Sequence, residues 1–192
     1  MTELEKLFCG LPFDARNPDI VKYGEKVNDI CFELNQLKPS DPTRKERFQE
    51  LFGSYNLSIT VEPGFRCVYG KNIHFKGYAY VNYDCIFLDT NIITIGDRTL
   101  IGPKCSLICT NHAIDKDERM AGLFNKKPIT IGDYVWLGAA VVVCPGVSIG
   151  DGSIIGAGSV VTKDIPPNVV AAGSPCKVIR EITEADKLNN TR

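Results

Sequence analysis

Residues 129–164 read ITIGDY-VWLGAA-VVVCPG-VSIGDG-SIIGAG-SVVTKD, blocks of six that run without a slip. An aliphatic side chain holds the third place of every block, at Ile131, Leu137, Val143, Ile149, Ile155 and Val161. Four positions after each of these stand Val135, Val141, Val147, Ser153, Ser159 and Ile165, all small or β-branched. Glycine follows the aliphatic residue at Gly132, Gly138, Gly150 and Gly156. A period of six fits neither the 3.6-residue helix nor the two-residue alternation of a strand, and it marks a hexapeptide-repeat β-helix. Three hexads make one triangular coil whose sides are short strands, with glycine or polar residues at corners where positive φ is needed. Coils stacked at the ~4.8 Å spacing of neighbouring strands pile the aliphatic residues into an internal column.

Working outward, the same beat holds at Phe75, Val81 and Phe87, then resumes after a two-residue offset at Ile95, Ile101 and Leu107. A mainly β domain, a parallel β-helix, is therefore expected over residues 61–182. The glycines of GDGSIIGAG are absorbed by the repeat, and no βαβ unit surrounds them to support a dinucleotide site. Before the coil, residues 1–60 read as a helical segment packed on it. Asn17-Pro18-Asp19 starts a helix whose Ile20, Val27, Ile30, Cys31, Leu34 and Leu37 share one face, and Pro39 stops it. Ser40-Asp41-Pro42 starts another, carrying Phe48, Leu51 and Phe52 and closed by Gly53. Residues 183–192 are left as a C-terminal tail.

Between Leu107 and Ile131 the beat fails. The interruption, CTNHAIDKDERMAGLFNKK at 109–127, reads as a structureless loop thrown out of the coil over residues 111–128, and an excursion of that length is usually functional. It carries His112, one of only two histidines, and an imidazole titrating near ~6.5 suits proton transfer at neutral pH. The alternative is a surface histidine capping a loop. His74, inside the repeat, reads as a coil-surface residue.

Composition closes other routes. A net charge of −1 and a pI near 6.1 give no electrostatic case for nucleic acid or an anionic membrane surface. No apolar run approaches a membrane span, and the start MTELEKLFCG is not a signal peptide, so a cytoplasmic location is the default. The eight cysteines show no C-x-x-C pair and read as reduced, buried small hydrophobes; no metal requirement is expected. The N-x-S/T matches at Asn56 and Asn189 carry no weight without secretion. A γ-class carbonic anhydrase would share the coil but needs three histidine ligands, which two histidines cannot supply.

Beyond the repeat, LPFDARNPD, CFELNQLKPSD, VYGKNIHFKGYAYVNYDC, TNHAID and GAGSVVTKDIPPNVVAAGSPCKVIREI together resemble the maltose and galactoside O-acetyltransferases, over nearly the whole chain. The resemblance implies a left-handed parallel β-helix, a homotrimer with active sites between subunits, and acetyl-CoA as donor to a sugar hydroxyl. It implies His112 as general base and Asn82 as an active-site amide that binds the acceptor or holds the reacting oxygens. Asp14, Tyr69 and Asp89 fall in its acceptor-binding set. For the donor it points to Ala139, Ala157 and Thr162 along the pantetheine groove; Lys163, Lys177 and Arg180, clustered near the end of the coil, read either as partners of the CoA phosphates or as a solvated basic face. Trp136 either walls that channel or packs a trimer. No G-x-S-x-G elbow is present, so direct transfer is simpler than a covalent intermediate. Val68 and Thr90 replace polar groups usual in the sugar-binding set, which leaves the acceptor open between a sugar, an amino sugar and an antibiotic. A non-catalytic β-helix scaffold is the remaining alternative.

Overall fold

The computed structural model describes residues 1–188. The Asn189 match and the end of the expected tail lie outside them. Three helices lead the chain: α1 (Glu3–Phe8), α2 (Pro18–Gln36) and α3 (Thr43–Leu51). Asn17 caps α2 through its side chain, which accepts from Asp19 N–H, and Pro18 takes the first helical position as expected. α1 lies within the expected helical segment and is opened by Thr2-x-x-Glu5, which forms a reciprocal capping box. α3 ends at Leu51 with Phe52 as its cap, and Gly53 follows the cap, pressed against the Lys71 carbonyl and the His74 ring.

The coil has three faces. The first carries β3 (Ile73–Phe75), β6 (Ile93–Ile95), β11 (Ile129–Ile131) and β14 (Ser148–Ile149). The second carries β1 (Thr60–Val61), β4 (Ala79–Val81), β7 (Thr99–Ile101), β12 (Trp136–Leu137), β15 (Ile154–Ile155) and β17 (Val169–Ala172). The third carries β2 (Arg66–Cys67), β5 (Ile86–Leu88), β8 (Ser106–Ile108), β13 (Val142–Val143) and β16 (Val160–Val161). The chain visits them in rotation, and every coil-to-coil pairing is parallel and in register. The terminal β18 (Lys177–Glu181) folds back antiparallel on β17.

The repeat positions read from the sequence are the interior. Ile95, Ile101, Leu107, Ile131, Leu137, Val143, Ile155 and Val161 are all at most 1% exposed. Cys85 and Cys105 fill the same interior, and all eight cysteines are free, with only Cys9 exposed. Positive φ recurs at the last place of the hexad, and glycine takes it at Gly146, Gly152 and Gly158 as expected, while Arg98, Tyr134 and Ala140 accept it without being glycine. Gly96 is instead required by stacking, because a Cβ there would lie 2.3 Å from the Gly132 carbonyl carbon of the next coil.

The helices close the first coil. Phe48, Phe52, Phe65 and Phe75 stack or meet edge to face there, and buried Arg44 donates to the Leu34 and Val61 carbonyls. The outward residues differ by face. The first presents His74, Thr94, Thr130 and Ser148; the second presents Tyr80, Leu100, Trp136, Ile154 and Val170 in one continuous ladder.

Candidate active site

The corners between faces are unequal, and this positions the site. From the third face to the first, the chain takes extra residues at Val68–Asn72 and Asp89–Ile92, and then leaves the coil altogether at Cys109–Pro128. That excursion is not structureless. It is a hairpin, β9 (Thr110–His112) paired antiparallel with β10 (Phe124–Lys126), with α4 (Lys116–Met120) at its tip. Asp115 caps α4 by accepting from the N–H groups of Asp117 and Glu118. The guanidinium of Arg119 ties the turn by donating to the Ala113 and Ile114 carbonyls at 2.8 Å.

His112 lies directly across from Phe124, and Thr110 across from Lys126. Residues two apart on a strand share a face, so His112, Phe124, Thr110 and Lys126 form one surface. The imidazole is exposed and its ring centre stands 6.5 Å from that of Phe124. Phe124 and Lys126 in turn line a cavity of about 480 Å³, closed on its other side by Phe13, Asp14 and Arg16 and by Glu3 and Lys6 of α1. The N-terminal segment and the hairpin, about a hundred residues apart in the chain, thus wall one space. Asp14 accepts from Arg16 N–H at 2.9 Å, and Glu3 is engaged by the Lys6 ammonium and the Asp14 N–H.

Two expected acceptor residues are placed elsewhere. Asp89 fills the second of the widened corners with no exposure, one carboxylate oxygen accepting from the N–H groups of Val68 and Tyr69 at 2.9 Å each. Its other oxygen meets no hydrogen-bond partner, and burial raises its pKa to about 6. Tyr69 is buried as well, stacked near Tyr23 and edge-on to Phe13, and burial moves its phenol up to about 12. Within the single chain Tyr69 backs Phe13 of the cavity wall, and Asp89 holds the Tyr69 backbone in place. Residues that sequence reasoning missed are Phe13, Phe124 and Lys126, for which no motif stands out; only their nearness to LPFDAR and the broken beat pointed at them.

Asn82 occupies a different corner, from the second face to the third. Its side-chain oxygen accepts from Tyr83 N–H at 2.8 Å, which leaves the amide nitrogen as its free donor. Ala139 and Ala157 follow on the same edge, exposed and joined by a ladder in which Ala140 N–H reaches Pro103 O and Gly158 N–H reaches Ala139 O, each at 2.8 Å. Trp136 projects from the adjoining second face, half exposed. Thr162 and Lys163 stand instead on the His112 edge. Lys177 and Arg180 lie exposed on β18, and the Arg180 guanidinium is clamped by Asp186 at 2.6 and 2.8 Å. One chain therefore divides the expected set between two edges of the prism.

His74 sits outward on β3, half covered by the Gly53 segment, and burial lowers its pKa. Among the described residues no cluster of His, Cys, Asp or Glu has a metal-binding arrangement, and no helix is long and apolar enough to cross a membrane.

Comparison with known proteins agrees with this architecture. The family described as bacterial transferase hexapeptide (six repeats) matches residues 128–163. The galactoside O-acetyltransferase of Escherichia coli is 46% identical over 159 residues, 82% of this chain and 78% of that protein. The crystal structure of a maltose O-acetyltransferase from Clostridium difficile superposes with a TM-score of 0.88 at 43% identity, covering 96% of this chain and 99% of that one. A hexapeptide-repeat acetyltransferase from Vibrio cholerae, crystallised with acetyl-CoA, superposes with a TM-score of 0.90 at 35% identity, covering 96% of this chain and all of that one. With its six-beat coil, its extruded histidine hairpin and these relatives along nearly its full length, the chain belongs to the hexapeptide-repeat acetyltransferases of the galactoside and maltose O-acetyltransferase type.

Proposed function

We propose that the protein transfers acetyl from acetyl-CoA to a hydroxyl of a sugar, with His112 as general base. The observation that carries this reading is the position of His112, on the hairpin surface continuous with the walls of the Asp14 cavity. Acetyl transfer from a thioester to an alcohol needs a base for the hydroxyl and donors for the tetrahedral oxyanion. The imidazole removes the hydroxyl proton as the oxygen forms a bond to the thioester carbonyl carbon. The oxyanion collapses, the carbon–sulfur bond breaks, and the CoA thiolate leaves with the proton. The free amide nitrogen of Asn82 is the donor suited to the oxyanion or the acceptor. Asp14, in the cavity wall, accepts from acceptor hydroxyls.

His112 and Asn82 sit on separate edges, so a site that uses both takes His112 from one copy and Asn82 from the next. The same holds for the donor groove, with Ala139 and Ala157 on one edge and Thr162 and Lys163 on the other. The ladder Tyr80, Leu100, Trp136, Ile154, Val170 supplies an apolar face for such packing, and a homotrimer closes it by symmetry. On this reading Trp136 serves the packing face and the groove edge together.

Free-thiol release from acetyl-CoA, measured across glucosides, galactosides, maltose, amino sugars and a hydroxylated antibiotic, tests the proposal. Thiol release that depends on a sugar is expected. Release with the antibiotic alone would move the acceptor class, and no acceptor-dependent release would remove the catalytic reading.

A further inference from the structure

The acceptor cavity contains a cation that the mechanism above does not use. Lys126 ends β10, diagonal to His112 on the shared hairpin surface, at the ~7–8 Å reach of such neighbours. Its ammonium is buried, rests 3.1 Å from the centre of the Phe13 ring and 5.0 Å from that of Phe124, and has no hydrogen-bond partner. Glu3 is near enough to attract the ammonium, but its carboxylate is held by Lys6 and the Asp14 N–H and makes no hydrogen bond to Lys126. An ammonium presents three donors and is strongly hydrated, so an unsatisfied one beside a cavity is an expensive arrangement. Burial accordingly pulls its pKa down to about 8. Its flexible stem lets it turn from the Phe13 ring into the adjoining space, because the ring offers attraction but no acceptor atom.

We propose that Lys126 is a specificity-determining residue that recognises an anionic group on the acceptor, so that the preferred acceptor is a hydroxylated compound bearing a carboxylate or phosphate about one sugar ring from the hydroxyl that His112 activates. The inference rests on the acetyl-transfer reading for its catalytic consequence, but not for the binding it asserts. Phe13 and Phe124 shape the slot and keep water from competing for the ammonium. Val68 packs on the same Tyr69 cluster as Phe13 and brings no hydrogen-bonding side chain there.

The test compares methyl glucoside, glucuronate and glucose 1-phosphate in two assays, thiol release and calorimetric titration in the presence of CoA. The wild-type protein is expected to favour at least one anionic compound in kcat/KM by about tenfold or more, as a charge-assisted hydrogen bond allows. Lys126→Met is expected to reduce that preference about 10- to 100-fold, mainly through KM, while Lys126→Arg retains part of it. The two anionic arms tell carboxylate from phosphate. Anion binding that is lost in Lys126→Met, even without turnover, supports the inference and counts against the acetyl-transfer reading. Turnover of methyl glucoside with no anion preference, and anion binding unchanged in Lys126→Met, overturns the inference and leaves acetyl transfer standing. Absence of both anion binding and anion preference also overturns it.

Discussion

In the coil, each residue's place is set by the coils above and below it; in the hairpin, by one partner strand. Leu107 pairs with Val143 on one side and Phe87 on the other, all without exposure, so a change at one level is felt at the next. His112 pairs with Phe124 alone and stands in the open. Glycines show the same contrast. A Cβ at Gly96 would collide with the backbone of the next coil, whereas Gly122, at the hairpin turn, is held to glycine by its own φ of +82° and not by neighbours, since a Cβ there would come no nearer than 3.9 Å to Arg16. Regular stacking supplies rigidity and forbids variation, and the interruption supplies a surface on which chemistry can be placed.

The largest expected effects come from exchanging these roles. His112→Ala should lower kcat/KM for acetyl transfer by about 10²- to 10⁴-fold, the usual worth of a general base. The same variant should unfold within about 0.5 kcal/mol of wild type, as for an exposed side chain without packing. Phe87→Ala should do the reverse. Phe87 is fully buried and meets Phe65 edge to face at 5.1 Å, so its truncation should cost about 3–5 kcal/mol in urea denaturation. A His112→Ala protein that lost stability, or that kept its transfer rate, would break the comparison.

Asp89 gives a smaller effect and lies at the boundary between the two regions. Burial raises its folded pKa to about 6, above the 3.8 of an ordinary aspartate. Between those values the folded state binds more protons than the unfolded one, so this residue's contribution declines as pH rises and is lost once pH passes about 6. Glu3, Asp41 and Glu50 act with the opposite sign, because hydrogen bonds hold each of their pKa values down. Asp89→Asn keeps an acceptor oxygen for the Val68 and Tyr69 N–H groups but cannot ionise. The stability difference between wild type and Asp89→Asn should therefore change by about 2–3 kcal/mol from pH 4 to pH 7, in the mutant's favour at the higher pH. A difference independent of pH would show that Asp89 does not change charge over that range.

What could be read in advance followed from how many neighbours constrain a residue. Ile131 to Val161 must all face the interior once one of them does, so a period in the letters was a statement about the fold. The two-residue offset before Ile95 was equally legible, and it marks the corner where Asp89 sits. The hairpin was visible only as a failure of the repeat, because two strands and a short helix leave too little periodicity to recognise. Asp115-x-x-Glu118 was its one local helix signal. The cavity was less legible still. Phe13 and Lys126 meet because α1 and the hairpin fold toward the same corner, and no spacing along the chain encodes that meeting. The division of Asn82 and His112 between two edges follows from the faces their flanking strands occupy, which spacing along the chain does not encode.

The smallest effect concerns Arg180, which was expected to meet a CoA phosphate. Its guanidinium is paired with both oxygens of Asp186, whose carboxyl is held at about 2 by that contact, and both groups are exposed. A phosphate would have to displace a carboxylate already in fork geometry, so any contribution to donor binding is the surplus of one contact over the other. Arg180→Ala should raise the KM for acetyl-CoA by only about two- to fivefold, and added salt should erase the change. Asp186→Asn should shift KM in the opposite direction, because it frees the guanidinium without removing it. If both variants leave KM where it was, Arg180 serves to pin the segment after β18 to the coil, and the phosphate must find Lys163 and Lys177 instead. Those two lysines belong to different edges, so that outcome would sharpen the contrast: the donor would be gripped only where two copies of the regular coil meet.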